Sequence, residues 1–355
     1  MVIPLLRPAL RPLAQIRRVA PVRPADAGKE VARVYAEVER EFGLLAPPIG
    51  LHAPSPAVLA ASWVMLRETL LAAGRVDRAL KEAVAVAVSE ANACPFCTEV
   101  HGATLAALRP GPAASAGARA AAGREREVAD WLRETGDGAG GRGARPPFPA
   151  DRVPELVGVA VTFHYLNRMV NLFLEESPLP AGLPAPARSA ATAVLGRLMR
   201  RSARGTPPAG ASLDLLPSAP LPADLRWAAG TPSIAGAFAR AAAAIDEAGA
   251  RSVPDGVRRL VTAGLAGWDG GPPGTGRAWV EDEVSALPEE QRPAGRLALL
   301  VAKASYRVDD GLVAEFRRGR PGDAALVELA SWAALAAARE LGARLGERAL
   351  TGGHG

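Results

Sequence analysis

Aromatic side chains are scarce in this 355-residue chain, at 5% of its residues, while 49% are apolar. A core must therefore be built mainly from Ala, Leu and Val, and alanine is the strongest helix former. Val-rich segments bounded by tight turns are rare, so an all-α protein is expected. No run of about 18 apolar residues occurs, which excludes a bilayer-spanning helix and predicts no membrane partner. The stretch Met1–Val22 mixes short apolar runs with four Arg and four Pro. Arg7, Arg11 and Arg17 break those runs before a signal-peptide core can form. Residues 1–29 read as an arm packed on the body or on a second subunit, and a cytoplasmic location is expected. One-signed charge is also missing. The net charge is +5, but acidic residues are interspersed, which gives no nucleic-acid footprint. The densest basic stretch, Arg197–Arg204 with four Arg, reads as the solvated face of a helix.

Cysteine is the most informative scarcity. There are two, Cys94 and Cys97. A loop that small constrains almost nothing of the unfolded chain, so the pair is not a staple. Zinc usually takes four protein ligands, and beyond His101 the chain has only His52, His164 and His354. No metal and no cofactor are expected, and redox chemistry is the favoured reading.

Pro/Gly/Ala-rich stretches at Arg109–Gly123, Gly136–Pro149 and Ser177–Pro222 punctuate the helical patterns. The last holds nine Pro, though Ala187–Arg204 within it has none and suits a helix. Residues 177–222 are the natural boundary between units at 30–176 and 223–355. A faint repeat spans that boundary. Ala53-Pro54-Ser55 answers to Thr231-Pro232-Ser233, and the apolar run Val153–Leu174 answers to Ala324–Leu345. In this register Glu82 falls on Arg259, Cys94 on Gly271, Cys97 on Gly274 and His101 on Ala278. The second unit therefore reads as a degenerate copy without a site. The alternation Ala83–Val88 suits a strand, but its flanks suit a helix buried on most sides, and a helix is expected.

The chemistry gathers around Cys94-Pro95-Phe96-Cys97. Pro95 fits the first position of a helix, with Cys94 at its cap and Cys97 in its first turn. A helix N-terminus stabilises thiolates, so at least one thiol is expected to have a depressed pKa. His101 lies four residues beyond Cys97 on the same face. Glu82 lies on the preceding helix, roughly 14 Å back from the reversal at Asn92-Ala93, and His101 roughly 10 Å beyond it. Glu82 can thus meet His101 across an antiparallel helix pair and orient it. His164, Tyr165, Asn167 and Arg168 form a polar cluster in an otherwise apolar helix, read as packing between units with a role at the site as the alternative.

A Glu, then CxxC, then a His four residues on resembles the core motif of the AhpD-like alkylhydroperoxidase family, within the carboxymuconolactone decarboxylase superfamily. The resemblance extends over roughly residues 30–175 and includes the helix start at Pro54 and the segment Phe163–Asn171. It implies tandem helical domains with the second degenerate, homo-oligomers, and reduction of peroxides by a cycling dithiol. It further implies Cys97 as attacking thiol, Cys94 as resolving thiol, and Glu82 with His101 as proton relay. Helix-dipole logic alone favours Cys94 as attacker. Some family members carry a His between the cysteines where this chain has Phe96, which predicts a lower peroxidase rate. The decarboxylase branch generally lacks the dithiol, so that activity is not expected. The implied partners are a peroxide and a dithiol electron donor of lipoyl or thioredoxin type. The rival reading is a non-enzymatic redox sensor or assembly protein whose dithiol switches its oligomeric state.

Overall fold

A computed structural model describes residues 12–109, 116–136, 145–180 and 182–351. Part of the expected arm (1–11), parts of two Pro/Gly-rich stretches (110–115 and 137–144) and His354 lie outside the described residues.

The described chain is helical, with a single isolated bridge between Ile16 and Leu174. The first half contains α1 (Lys29–Phe42), α2 (Pro47–Gly50), α3 (Pro56–Leu66), α4 (Arg78–Ala91), α5 (Pro95–Leu108), α6 (Ala116–Gly136) and α7 (Val153–Phe173). Then comes α8 (Ala185–Ala203). The second half contains α9 (Pro232–Ser252), α10 (Asp255–Leu265), α11 (Ala278–Val284), α12 (Arg292–Ala304), α13 (Asp310–Gly319) and α14 (Asp323–Thr351). Among the described residues no helix is long and apolar enough to cross a membrane.

Local chemistry explains the starts. Pro occupies the first turn of α3, α5, α7 and α9, where its missing N–H leaves no intrahelical bond unmade. At α4 the Asp77 carboxylate accepts from the Leu80 amide at 3.0 Å. The alternating Ala83–Val88 segment is helical as expected, and most of α4 is buried. Glycine and alanine faces then let helices approach closely.

The repeat is visible in the packing. Helix α7 packs most extensively on α14, and α3 packs on α9. Each contact joins a helix to its counterpart, the self-matching pattern of a two-fold assembly. One continuous apolar core results, running through both halves. Every residue of α7 except Asn171 is buried within the chain. The Pro-rich stretch 177–222 holds a helix, as its Pro-free middle suggested. Its central helix α8 packs along α5. The arm, from residue 12 onward, lies on the body. Arg18 donates to Leu172 O at 2.9 Å and to the Asp310 carboxylate at 2.7 Å, touching both halves.

Candidate active site

The site is built on the corner between α4 and α5. The chain leaves α4 at Asn92, turns through Ala93 at φ 48°, and enters α5 with Cys94 as its cap. The Cys94 amide donates to Ser89 O at 2.9 Å, fixing the corner. Both cysteines are free thiols and both are buried.

All four residues singled out in the sequence converge here. His101 Nδ1 lies 2.7 Å from Glu82 Oε2, across the antiparallel pair. The other carboxylate oxygen accepts from Arg78 Nε at 2.7 Å. Glu82 is fully buried, and burial alone would favour its protonated form. The Arg78 guanidinium and the interaction with His101 overcome that effect and hold its carboxyl below the usual range. With Nδ1–H given to Glu82, the proton-accepting nitrogen of His101 is Nε2. Phe163 meets the imidazole edge-on with ring centroids 4.6 Å apart, so packing fixes the ring as well.

Cys97 departs from the expected thiol depression. Burial pushes its thiol well up, and a hydrogen bond to Cys94 and the nearby Cys94 charge push the same way. Asn167 opposes them with a hydrogen bond to the sulfur. The helix N-terminus does not dominate, because the thiol has been taken out of water.

A cavity of about 320 Å³ opens onto this centre. Cys97 and His101 line it, whereas Cys94 does not. Its walls are apolar: Phe96, Phe163 and Leu166 on one side, Leu195, Leu198 and Met199 of α8 on another. Phe96, between the two cysteines, is thus cavity wall. Among the lining residues, Gln15, Cys97 and His101 alone carry polar side chains. Gln15 is turned to Pro178 O at 3.0 Å.

The sequence reading missed several participants. Arg78 sits four residues before Glu82, a spacing that signals an ion pair, and it was legible. Asn92 and Ser89 carried no signal. His164, Asn167 and Arg168 were seen as a cluster, and they meet Asn92 just behind the dithiol. Tyr165 points elsewhere, to Ser331 of the second half.

Residues 57–122, which hold Glu82, Cys94, Cys97 and His101, match the carboxymuconolactone decarboxylase family. Over 340 residues the chain is 37% identical to the alkyl hydroperoxide reductase Rv2159c of Mycobacterium tuberculosis, covering 94% of this chain and 96% of that protein. The chain belongs to the AhpD-like alkylhydroperoxidase family. No solved structure gives a match. In this AhpD-like chain the second half lacks every site residue. Where α5 would begin, the loop Gly270–Gly274 passes through left-handed conformations at Gly270 (φ 97°) and Gly274 (φ 60°), and α11 starts at Ala278. That loop is pinned by Trp268 Nε1 donating to Gly271 O at 2.6 Å.

Proposed function

We propose that the protein is a dithiol peroxidase that reduces apolar organic hydroperoxides at Cys97. The observation that carries this reading is the cavity, whose reactive groups are Cys97 and His101 and whose walls are apolar apart from Gln15. The relative's name, an alkyl hydroperoxide reductase, supports the same substrate class.

In the proposed cycle His101 Nε2 takes the Cys97 proton, and Glu82 stabilises the imidazolium that forms. The thiolate attacks the terminal oxygen of the hydroperoxide. An S–O bond forms, the O–O bond breaks, and the alkoxide takes the proton back from His101 and leaves as an alcohol. Cys97 is now a sulfenic acid. Cys94 attacks its sulfur, the disulfide closes, and hydroxide leaves with the Cys94 proton as water. An external dithiol, of lipoyl or thioredoxin type, returns both thiols by exchange and is itself oxidised to a disulfide.

In this reading the second half supplies no chemistry and covers apolar surface of the first, and the protein works as a homo-oligomer in a reducing cytoplasm. The test is steady-state turnover with a bulky organic hydroperoxide and with hydrogen peroxide, using a dihydrolipoyl or thioredoxin-type donor. Repeated turnover with preference for the organic peroxide is expected. A single stoichiometric oxidation without turnover overturns the enzymatic reading in favour of a switch.

A further inference from the structure

We propose that α8 makes the cavity a filter that admits uncharged molecules to Cys97 and turns anions away, with Leu195, Leu198 and Met199 as its specificity-determining side chains. The hydroperoxides that react are then those with no charge near the O–O bond. This deepens the peroxidase reading and rests on it for the identity of the substrates.

Helix α8 divides its side chains between two sides. Ala191, Val194, Leu195, Leu198 and Met199 recur at steps of three and four, form one apolar stripe, and line the cavity. Arg188, Arg197 and Arg200 line a different, open groove between α8 and α5. Arg197 and Arg200 of the basic stretch noted in the sequence therefore add no charge to the cavity wall. Several contacts hold the helix in this orientation. Gly196 is buried against α5, where an added Cβ would lie 2.6 Å from Ala103 O. Near one end Arg188 Nη2 donates to the Glu99 carboxylate of α5 at 3.0 Å. Near the other, Ser202 Oγ donates to Glu41 O of α1 at 2.9 Å. A rotation that turned an arginine inward would break all three contacts.

Among the described residues that line the cavity there is no Asp, Glu, Lys or Arg. His101 is the one lining side chain that can carry a positive charge, and the Glu82 carboxylate already lies 2.7 Å from it. An anion that enters leaves water and finds no cation of its own, which is costly. A neutral apolar molecule gains from the same walls. Cys97 is buried and lines the cavity, so a molecule that reaches its sulfur is desolvated among these side chains. Leu198 lines the cavity yet is 47% exposed, which puts it at the mouth, whereas Met199 is buried.

The first arm of the test needs no peroxide. In full-length Cys94→Ser protein, Cys97 is alkylated with neutral iodoacetamide and with anionic iodoacetate, and the ratio of the two rates is compared with that of the same chain unfolded in urea. Folding should raise the ratio at least about tenfold in favour of iodoacetamide. Leu198→Arg, which puts a cation at the mouth, should bring the ratio back toward the unfolded value, and Leu198→Lys serves if that variant does not fold. Ser189→Arg adds the same charge on the groove side of α8 and should leave the ratio where it was. Equal ratios in the folded and unfolded chain overturn the proposal. A ratio unmoved by either folded Leu198 variant, or moved equally by Ser189→Arg, overturns the role given to the α8 wall. The second arm is turnover of cumene hydroperoxide against its para-carboxylate analogue, for which kcat/KM should be at least about tenfold lower. Equal kcat/KM for the two overturns the substrate class. Selective alkylation with no turnover of either upholds the filter and overturns the peroxidase reading instead.

Discussion

Tyr165 of α7 and Ser331 of α14 meet hydroxyl to hydroxyl at 2.7 Å, inside the apolar contact between the two halves. Both are fully buried, so each hydroxyl depends on the other for its hydrogen bond. Nearby, Gly342 of α14 lies so close to α7 that an added Cβ would collide with Val161 Cγ2. The two halves are therefore fitted to each other along their length and not merely tethered.

Separation of the halves should accordingly fail. A chain ending at Glu176 strips α14 from α7 and α9 from α3, and it also removes α8 from the wall of the cavity. Several hundred Å² of exposed apolar surface is worth on the order of 10 kcal/mol at about 25 cal/mol per Å². We expect the truncated chain to aggregate or to lose cooperative melting. Gly342→Val in the full chain should cost about 1–3 kcal/mol through overpacking. Denaturant melts and light scattering check both. A monomeric truncated chain with an unchanged melting temperature contradicts the fit described here.

Arg78 should set the acid limb of the activity profile. Its guanidinium and His101 hold the Glu82 carboxyl low, against burial. A carboxyl with a depressed pKa keeps its charge until the pH falls through that low value. In Arg78→Ala the pKa rises, so activity should be lost at a higher pH on acidification. Glu82→Gln should lower turnover by about 10²-fold, within the range for loss of acid–base assistance. Initial rates across pH decide the matter. Identical acid limbs in wild type and Arg78→Ala would remove Arg78 from the relay.

The dithiol should close reversibly within one chain. Cys94 caps α5 and Cys97 sits in its first turn, and both residues are buried. Thiol titration after mild peroxide should show loss of two thiols per chain, with no covalent dimers on a non-reducing gel. Two free thiols after oxidation, or linked chains, would contradict the proposed cycle.

Two buried histidines should make stability fall in mild acid. Burial lowers His52 to about 3 and also lowers His164, with help from Arg168. Both are neutral in the folded protein, but in the unfolded chain they bind protons below about pH 6.5. Their contribution is complete above that pH and is lost as the pH falls toward the folded values. Each contributes up to about 1.4 kcal/mol per pH unit. His52 stacks on Tyr165 with ring centroids 5.7 Å apart and donates from Nδ1 to Ile49 O, 3.2 Å away, but it faces no charge. In His52→Gln the pH dependence of the denaturation midpoint should flatten by about one proton. A slope equal to that of wild type counts against this account.

What the sequence determined by itself is short in range. Helix starts follow from Pro95, Asp77 and Pro154, because capping and the first turn involve only neighbouring residues. The meeting of Glu82 and His101 followed from counting rise per residue on either side of Asn92-Ala93, because a helix has a fixed pitch. The repeat was legible as order and spacing. The tertiary structure alone decided the rest, because burial and pairing are set by segments distant in sequence. It placed α8 from a Pro-rich stretch over the cavity, and it covered α7 with α14. It raised the Cys97 thiol, where the helix N-terminus alone predicts the reverse, since desolvation depends on every chain segment around the sulfur. It also brought Asn92 at the end of α4 to Arg168 of α7, 76 positions away.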